Sequence, residues 1–84
     1  MNKITKSHAQ DALIKAIKLL LRPLIRLMIH HQMTFPYVRE LLKELYVDVA
    51  KELIEKDGGS INDSRVYILS GVHRKDIKRL REQQ

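Results

Sequence analysis

The 84-residue chain has no cysteine and no tryptophan, one phenylalanine, two prolines and three glycines. Without a thiol, neither a disulfide framework nor a thiolate metal site can form, and the absence fits a reducing cytoplasm. No run alternates apolar and polar residues in the way a half-buried strand does, and no internal repeat or low-complexity tract is present. The apolar stretch from Leu13 to Ile29 is broken by Lys15, Lys18, Arg22, Pro23 and Arg26. That many cations do not cross a bilayer core, so it is not a membrane span, and no secretory signal is visible. Catalytic signatures are missing too. There is no HExxH and no serine-nucleophile motif, and Gly58-Gly59 lacks the lysine and the spacing of a phosphate-binding loop. His30 and His31 are adjacent, but on a helix they point about 100° apart and cannot close on one ion. His8 and His73 stand alone. The expectation is a protein without catalytic activity, metal or cofactor.

What is present is a small basic chain. Eighty-four residues suffice for one domain, 1–84, with one modest core. The formal net charge is +6, unevenly spread. Residues 1–33 carry six cations against Asp11 alone, a balance of +5. Residues 34–57 carry four cations and six carboxylates, a balance of −2, and residues 58–84 carry six against three, a balance of +3. Basic ends around an acidic middle favour a polyanionic partner for the termini, or neutralisation between segments of a folded bundle.

The periodicity is helical throughout. A first helix is expected from Ser7 as N-cap, with Ala9, Ala12, Leu13, Ala16, Ile17, Leu20, Leu24, Leu27 and Met28 in register. From Leu19 onward Leu19, Leu21, Ile25 and Ile29 widen the stripe until only Arg22 and Arg26 remain polar, so this half must bury more than one face. Pro23 lacks a backbone donor and crowds the carbonyl one turn back, which predicts a split into two helices there. Thr34 is expected to cap the next helix, with Pro36 in its first turn. In that helix Phe35, Val38, Leu41, Leu42, Leu45, Tyr46, Val49, Leu53 and Ile54 form the predicted inner stripe, and its outer charges read as solvated. Asp57-Gly58-Gly59-Ser60 ends it. The fold class predicted is all-α, a small bundle of four to five helices ending in a helix-turn-helix.

That terminal motif occupies residues 63–81. A short helix from about Ser64 to Leu69, capped by Asn62 or Asp63, turns through Ser70, Gly71 and Val72 and restarts at His73. Gly71 supplies the positive φ the reversal needs. Val66, Leu69, Val72, Ile77 and Leu80 are expected to point inward, and His73, Arg74, Lys75, Lys78 and Arg79 outward. Cations on a second helix suit double-stranded DNA: they displace counterions from phosphates and donate to guanine acceptors in the major groove. Arg74, Lys75 and Lys78 are candidates for base readout, and Ser64, Arg65 and Arg79 for phosphates. Glu82-Gln83-Gln84 should fray.

Leu20-Leu21-Arg22-Pro23-Leu24-Ile25-Arg26-Leu27, Tyr46-Val47-Asp48-Val49-Ala50 and Ser64-Arg65-Val66-Tyr67-Ile68-Leu69-Ser70-Gly71-Val72-His73-Arg74-Lys75-Asp76 resemble the N-terminal part of an uncharacterised bacterial protein family, a domain of unknown function with a helix-turn-helix-like start. The similarity covers roughly residues 19–81. It implies an intracellular bacterial protein, helical, either a short member or the N-terminal domain of a longer chain, and it implies no catalytic residues. Two positions depart from the pattern. Gln32 stands where the family tends to have glycine, which would strain a non-glycine residue by about 1 kcal/mol. Tyr67 stands where helix-turn-helix motifs favour a small residue.

The function expected is therefore a DNA-binding, transcription-regulator-like module. The alternative is a helical protein–protein interaction or dimerisation module, because residues 13–29 supply more apolar surface than a small domain can cover. The two are compatible, since many helix-turn-helix proteins are homo-oligomers that match two half-sites. A membrane-surface helix is the weaker option, given that the second apolar stripe is a sufficient packing partner.

Overall fold

The computed structural model describes residues 3–83, which form four α-helices: α1 (Lys3–His30), α2 (Phe35–Lys56), α3 (Asp63–Ser70) and α4 (Arg74–Gln83). The chain divides into two compact units, Met1–Thr34 and Phe35–Gln84. The first contains α1 and the second the other three helices.

Two expectations about α1 are corrected. It begins at Lys3, so Ser7 lies inside it and is not its cap, and it continues through Pro23 without splitting. Lys-Ile-Thr-Lys contains no helix breaker, and on either side of Pro23 leucine, isoleucine and arginine propagate the helix well enough to outweigh one missing donor. The helix ends in a turn in which Gln32 N–H donates to the Ile29 carbonyl and Met33 N–H to that of Met28, both at 2.9 Å. This pairing of a 6→1 with a 5→2 bond requires a left-handed residue between them, and Gln32 adopts φ 61°. The sequence departure at this position is thus a strained backbone.

In the second unit, α2 follows Thr34 directly, with Pro36 at its second position. It ends in the same hydrogen-bonded turn, Gly58 N–H to Glu55 at 2.9 Å and Gly59 N–H to Ile54 at 3.1 Å, here around a glycine at φ 77°. The core consists of Val47, Ala50 and Ile54 from α2, Val66 from α3, and Ile77 and Leu80 from α4, with Val72 packed against them. Val66 and Ile77 are each 1% exposed.

Of the nine residues in the predicted inner stripe of α2, only Ile54 is fully buried, and Val47 and Ala50 take the places expected for Leu45 and Val49. The helix is apolar on two adjoining strips. Helices of 8 and 10 residues can cover only one of them. Val47, Ala50 and Ile54 lie at i, i+3 and i+7 on that strip, and the small Ala50 lets a neighbouring backbone come close. Leu69 is likewise corrected: it is 52% exposed, because α3 is too short to bury both Val66 and the residue three positions on. No helix among the described residues is long and apolar enough to cross a membrane.

Candidate functional site

The α3–α4 corner is built from local hydrogen bonds. Asn62 caps α3, its side-chain oxygen accepting from Arg65 N–H at 2.9 Å. Gly71, at φ 75°, donates to the Tyr67 carbonyl at 2.8 Å and closes the helix. Ser70 Oγ donates to the Val66 carbonyl at 2.6 Å and accepts from Val72 N–H at 3.1 Å, so one hydroxyl holds both sides of the turn. His73 opens α4. Its carbonyl accepts from Asp76 and Ile77, each at 3.0 Å, and its Nδ1 accepts from Lys75 N–H at 3.1 Å. Through this bond the imidazole caps the first turn of α4.

The seven residues singled out from sequence fall into three groups. Arg74, Lys75 and Lys78 are exposed, with Arg74 and Lys78 one turn apart; the Arg74 guanidinium carbon lies 5.4 Å from the centre of the Tyr67 ring. That cation–π contact gives Tyr67, the bulky residue at a small-residue position, an outward place beside the turn. Ser64 and Arg65 are exposed on the first turn of α3, and the Arg65 guanidinium occupies the space a side chain on Gly59 would take. His73 and Arg79 have structural partners. Arg79 donates to Glu40 at 2.8 Å and to Asp76 at 3.0 Å.

Those bonds belong to a four-residue cluster. Lys43 lies 3.2 Å from Glu40 and 3.1 Å from Asp76, so two cations and two carboxylates alternate across the α2–α4 contact. Hydrogen bonds from Arg79 and Lys43 hold the Asp76 carboxyl below its ordinary pKa, and those from Lys43 and Arg79 do the same for Glu40. Asp76, and after it Glu40, raises Lys43 in return. Arg81 bonds Asp63 at 2.8 Å and ties α4 to α3. These carboxylates lower the positive potential of α4 on the side that faces its neighbours and leave its outer face basic. Among the described residues no group of three or more His, Asp or Glu side chains is placed to hold a metal ion.

A family match covers residues 10–83, all of α2–α4 and most of α1. The chain belongs to the family of unknown function DUF6502. No curated protein and no solved structure matches it. The DUF6502 match therefore places the three resembling segments, LLRPLIRL, YVDVA and SRVYILSGVHRKD, inside one uncharacterised, all-helical family.

This DUF6502 chain also exposes apolar surface, the part on α1 expected from the sequence and the part on α2 not. A groove of about 350 Å³ runs along α2 beside the end of α3, lined by Leu42, Leu45, Tyr46, Val49, Leu53 and Leu69 among others. It is the strip of α2 that α3 and α4 leave uncovered. On α1, Leu19, Leu20 and Ile29 are 72%, 69% and 67% exposed. The signal for the first surface was an apolar arc on α2 wider than two short helices cover. The signal for the ionic cluster was the pair of i, i+3 partners Glu40–Lys43 and Asp76–Arg79.

Proposed function

We propose that this chain is a helical interaction module that self-associates through α1. The observation that carries it is that α1, the only helix of its unit, exposes large aliphatic side chains along its whole second half, from Leu19 to Ile29. A helix apolar on most of its circumference is stable in water only when other surfaces cover it, and contiguous exposed aliphatic surface marks a partner site. Sedimentation equilibrium of the full chain should give a mass at least twice 9.9 kDa. Leu21→Glu or Ile25→Glu should move it toward the monomer, because each places a charge in a desolvated contact. A wild-type monomer at all concentrations refutes the proposal.

A second reading, contact with duplex DNA through α4, is favoured by the exposure of Arg74, Lys75 and Lys78 at the start of a helix that follows a glycine turn. Asp76 in that same turn and the pairing of Arg79 with two carboxylates weigh against a wide cationic face. The measurement is fluorescence anisotropy on random duplex against salt. Arg74→Ala with Lys78→Ala should weaken binding and flatten the log–log salt slope by about 2 while the helical signal is kept. Equal binding by variant and wild type removes this reading. Arg79→Ala is no substitute, since it also loosens α4 from α2.

A further inference from the structure

We infer that the partner surface for α1 is the α2–α3 groove of a second copy of this chain, with one row of charges on each element setting the register. The inference rests on the self-association reading above and names the surfaces involved.

On α1, Lys18, Arg22 and Arg26 recur every fourth residue and form a single row. At 100° per residue Lys15 falls in the same arc, as does Ile29, and the apolar residues from Ala12 to Met28 fill the remaining arc of about 280°. On α2, Glu44, Asp48 and Glu52 recur every fourth residue along the edge of the strip that carries Leu45, Val49 and Leu53. Each row spans about 12 Å. All six charged residues are exposed, and among the described residues none has an ion-pair partner, whereas Glu40, Lys43, Asp63, Asp76, Arg79 and Arg81 all do. Like charges one turn apart on a helix repel, so each row by itself is unfavourable. Brought together they pair one to one.

The occupant is a second copy because of how much surface has to be covered. The groove is one-sided and about 16 Å long, from Leu42 to Leu53. It can cover one flank of α1, such as Ile14, Leu21, Ile25 and Met28, which lie beside the cationic row. The opposite flank, with Ala16, Leu20 and Leu27, still faces water. In the twofold dimer inferred here, each α1 enters the other copy's groove and the opposite flank is covered by the other copy's α1. The exchange is reciprocal, so the assembly closes at two copies without forming a fibre.

Arg22 and Asp48 are the middle members of their rows and face one another whether the helices run parallel or antiparallel. Since the chain has no native thiol, cysteine pairing is unambiguous. Full-length Arg22→Cys chains mixed with full-length Asp48→Cys chains and oxidised should give the 22–48 heterodimer as the main cross-linked product. In sedimentation, the triple reversal Lys18→Glu, Arg22→Glu, Arg26→Glu should weaken dimerisation at least about tenfold, as should Glu44→Lys, Asp48→Lys, Glu52→Lys. The mixture of the two triple variants should regain a dimer, since one of its contacts pairs the two reversed rows and the other keeps the native pairing. A dimer that cross-links 22 to 22, or one indifferent to both reversals, overturns this inference and leaves self-association through α1 standing. A monomeric wild type overturns both.

Discussion

Three residues in the left-handed region end helices: Gln32 at φ 61°, Gly58 at φ 77° and Gly71 at φ 75°. Two are glycine, which takes that conformation at no steric cost; the third carries a Cβ that meets the following carbonyl. Gln32→Gly should therefore stabilise the chain by about 0.5–1 kcal/mol, the relieved strain offset in part by the freer unfolded state, and raise the urea midpoint. Gly71→Ala should do the opposite, by about 1–2 kcal/mol. A Cβ at Gly71 meets nothing within 4 Å, so that loss is backbone strain alone. Gly59→Ala is the control: it displaces only the far end of the Arg65 side chain and should cost less than Gly71→Ala, measured under the same denaturant. An equal loss at both positions would contradict the strain account. The strain at Gln32 was legible from the family pattern, while the role of Gly59 was not, because it depends on Arg65, a residue six positions away on another element.

Among elements, α4 illustrates how a sequence signal divides between two roles. Its cations read as one basic rod, yet among the described residues the outer Arg74, Lys75 and Lys78 have no ion-pair partner, while Arg79 joins the cluster with Glu40, Lys43 and Asp76. Because partner cations hold the Asp76 and Glu40 carboxyls below their ordinary range, the folded state binds fewer protons than the unfolded one in acid. The stabilisation is complete above that range and is lost as the pH falls through the lowered values. The raised Lys43 and Arg79 stay charged throughout that window and titrate only far above neutral pH. The urea midpoint should thus fall as the pH drops below the ordinary carboxylate range, and Asp76→Asn should start lower and fall less steeply. Identical pH profiles for the two would exclude the cluster as the source. Helix existence, the Asn62 cap, the Gly71 turn and the His73 start were all readable from residues a few positions apart. The face of α2 that is buried was not, since apolarity alone favours Val49 over Ala50 and only the width and position of α3 and α4 put Ala50 inside.

At the scale of the molecule, the core of the second unit is six aliphatic or alanine residues, and many more large aliphatic side chains than these remain exposed on α1 and α2. If association covers that surface, folding and assembly are linked by mass action. The melting temperature should then rise with protein concentration over about two decades, and Leu21→Glu should remove the dependence while lowering the melting temperature at high concentration. A melting temperature independent of concentration in the wild type would speak against assembly.

The sequence by itself determined what is local. It gave the all-α class from the period of its apolar residues, the helix ends from Asn62, Gly58 and Gly71, and the charge asymmetry from composition. Each of these depends on residues within a turn or two of one another. Tertiary structure alone decided which strip of α2 is inside and which cations on α4 are neutralised. Burial and ion pairing are set by the size and position of the neighbouring element, and a periodic pattern wider than that neighbour carries no mark of which part will be covered.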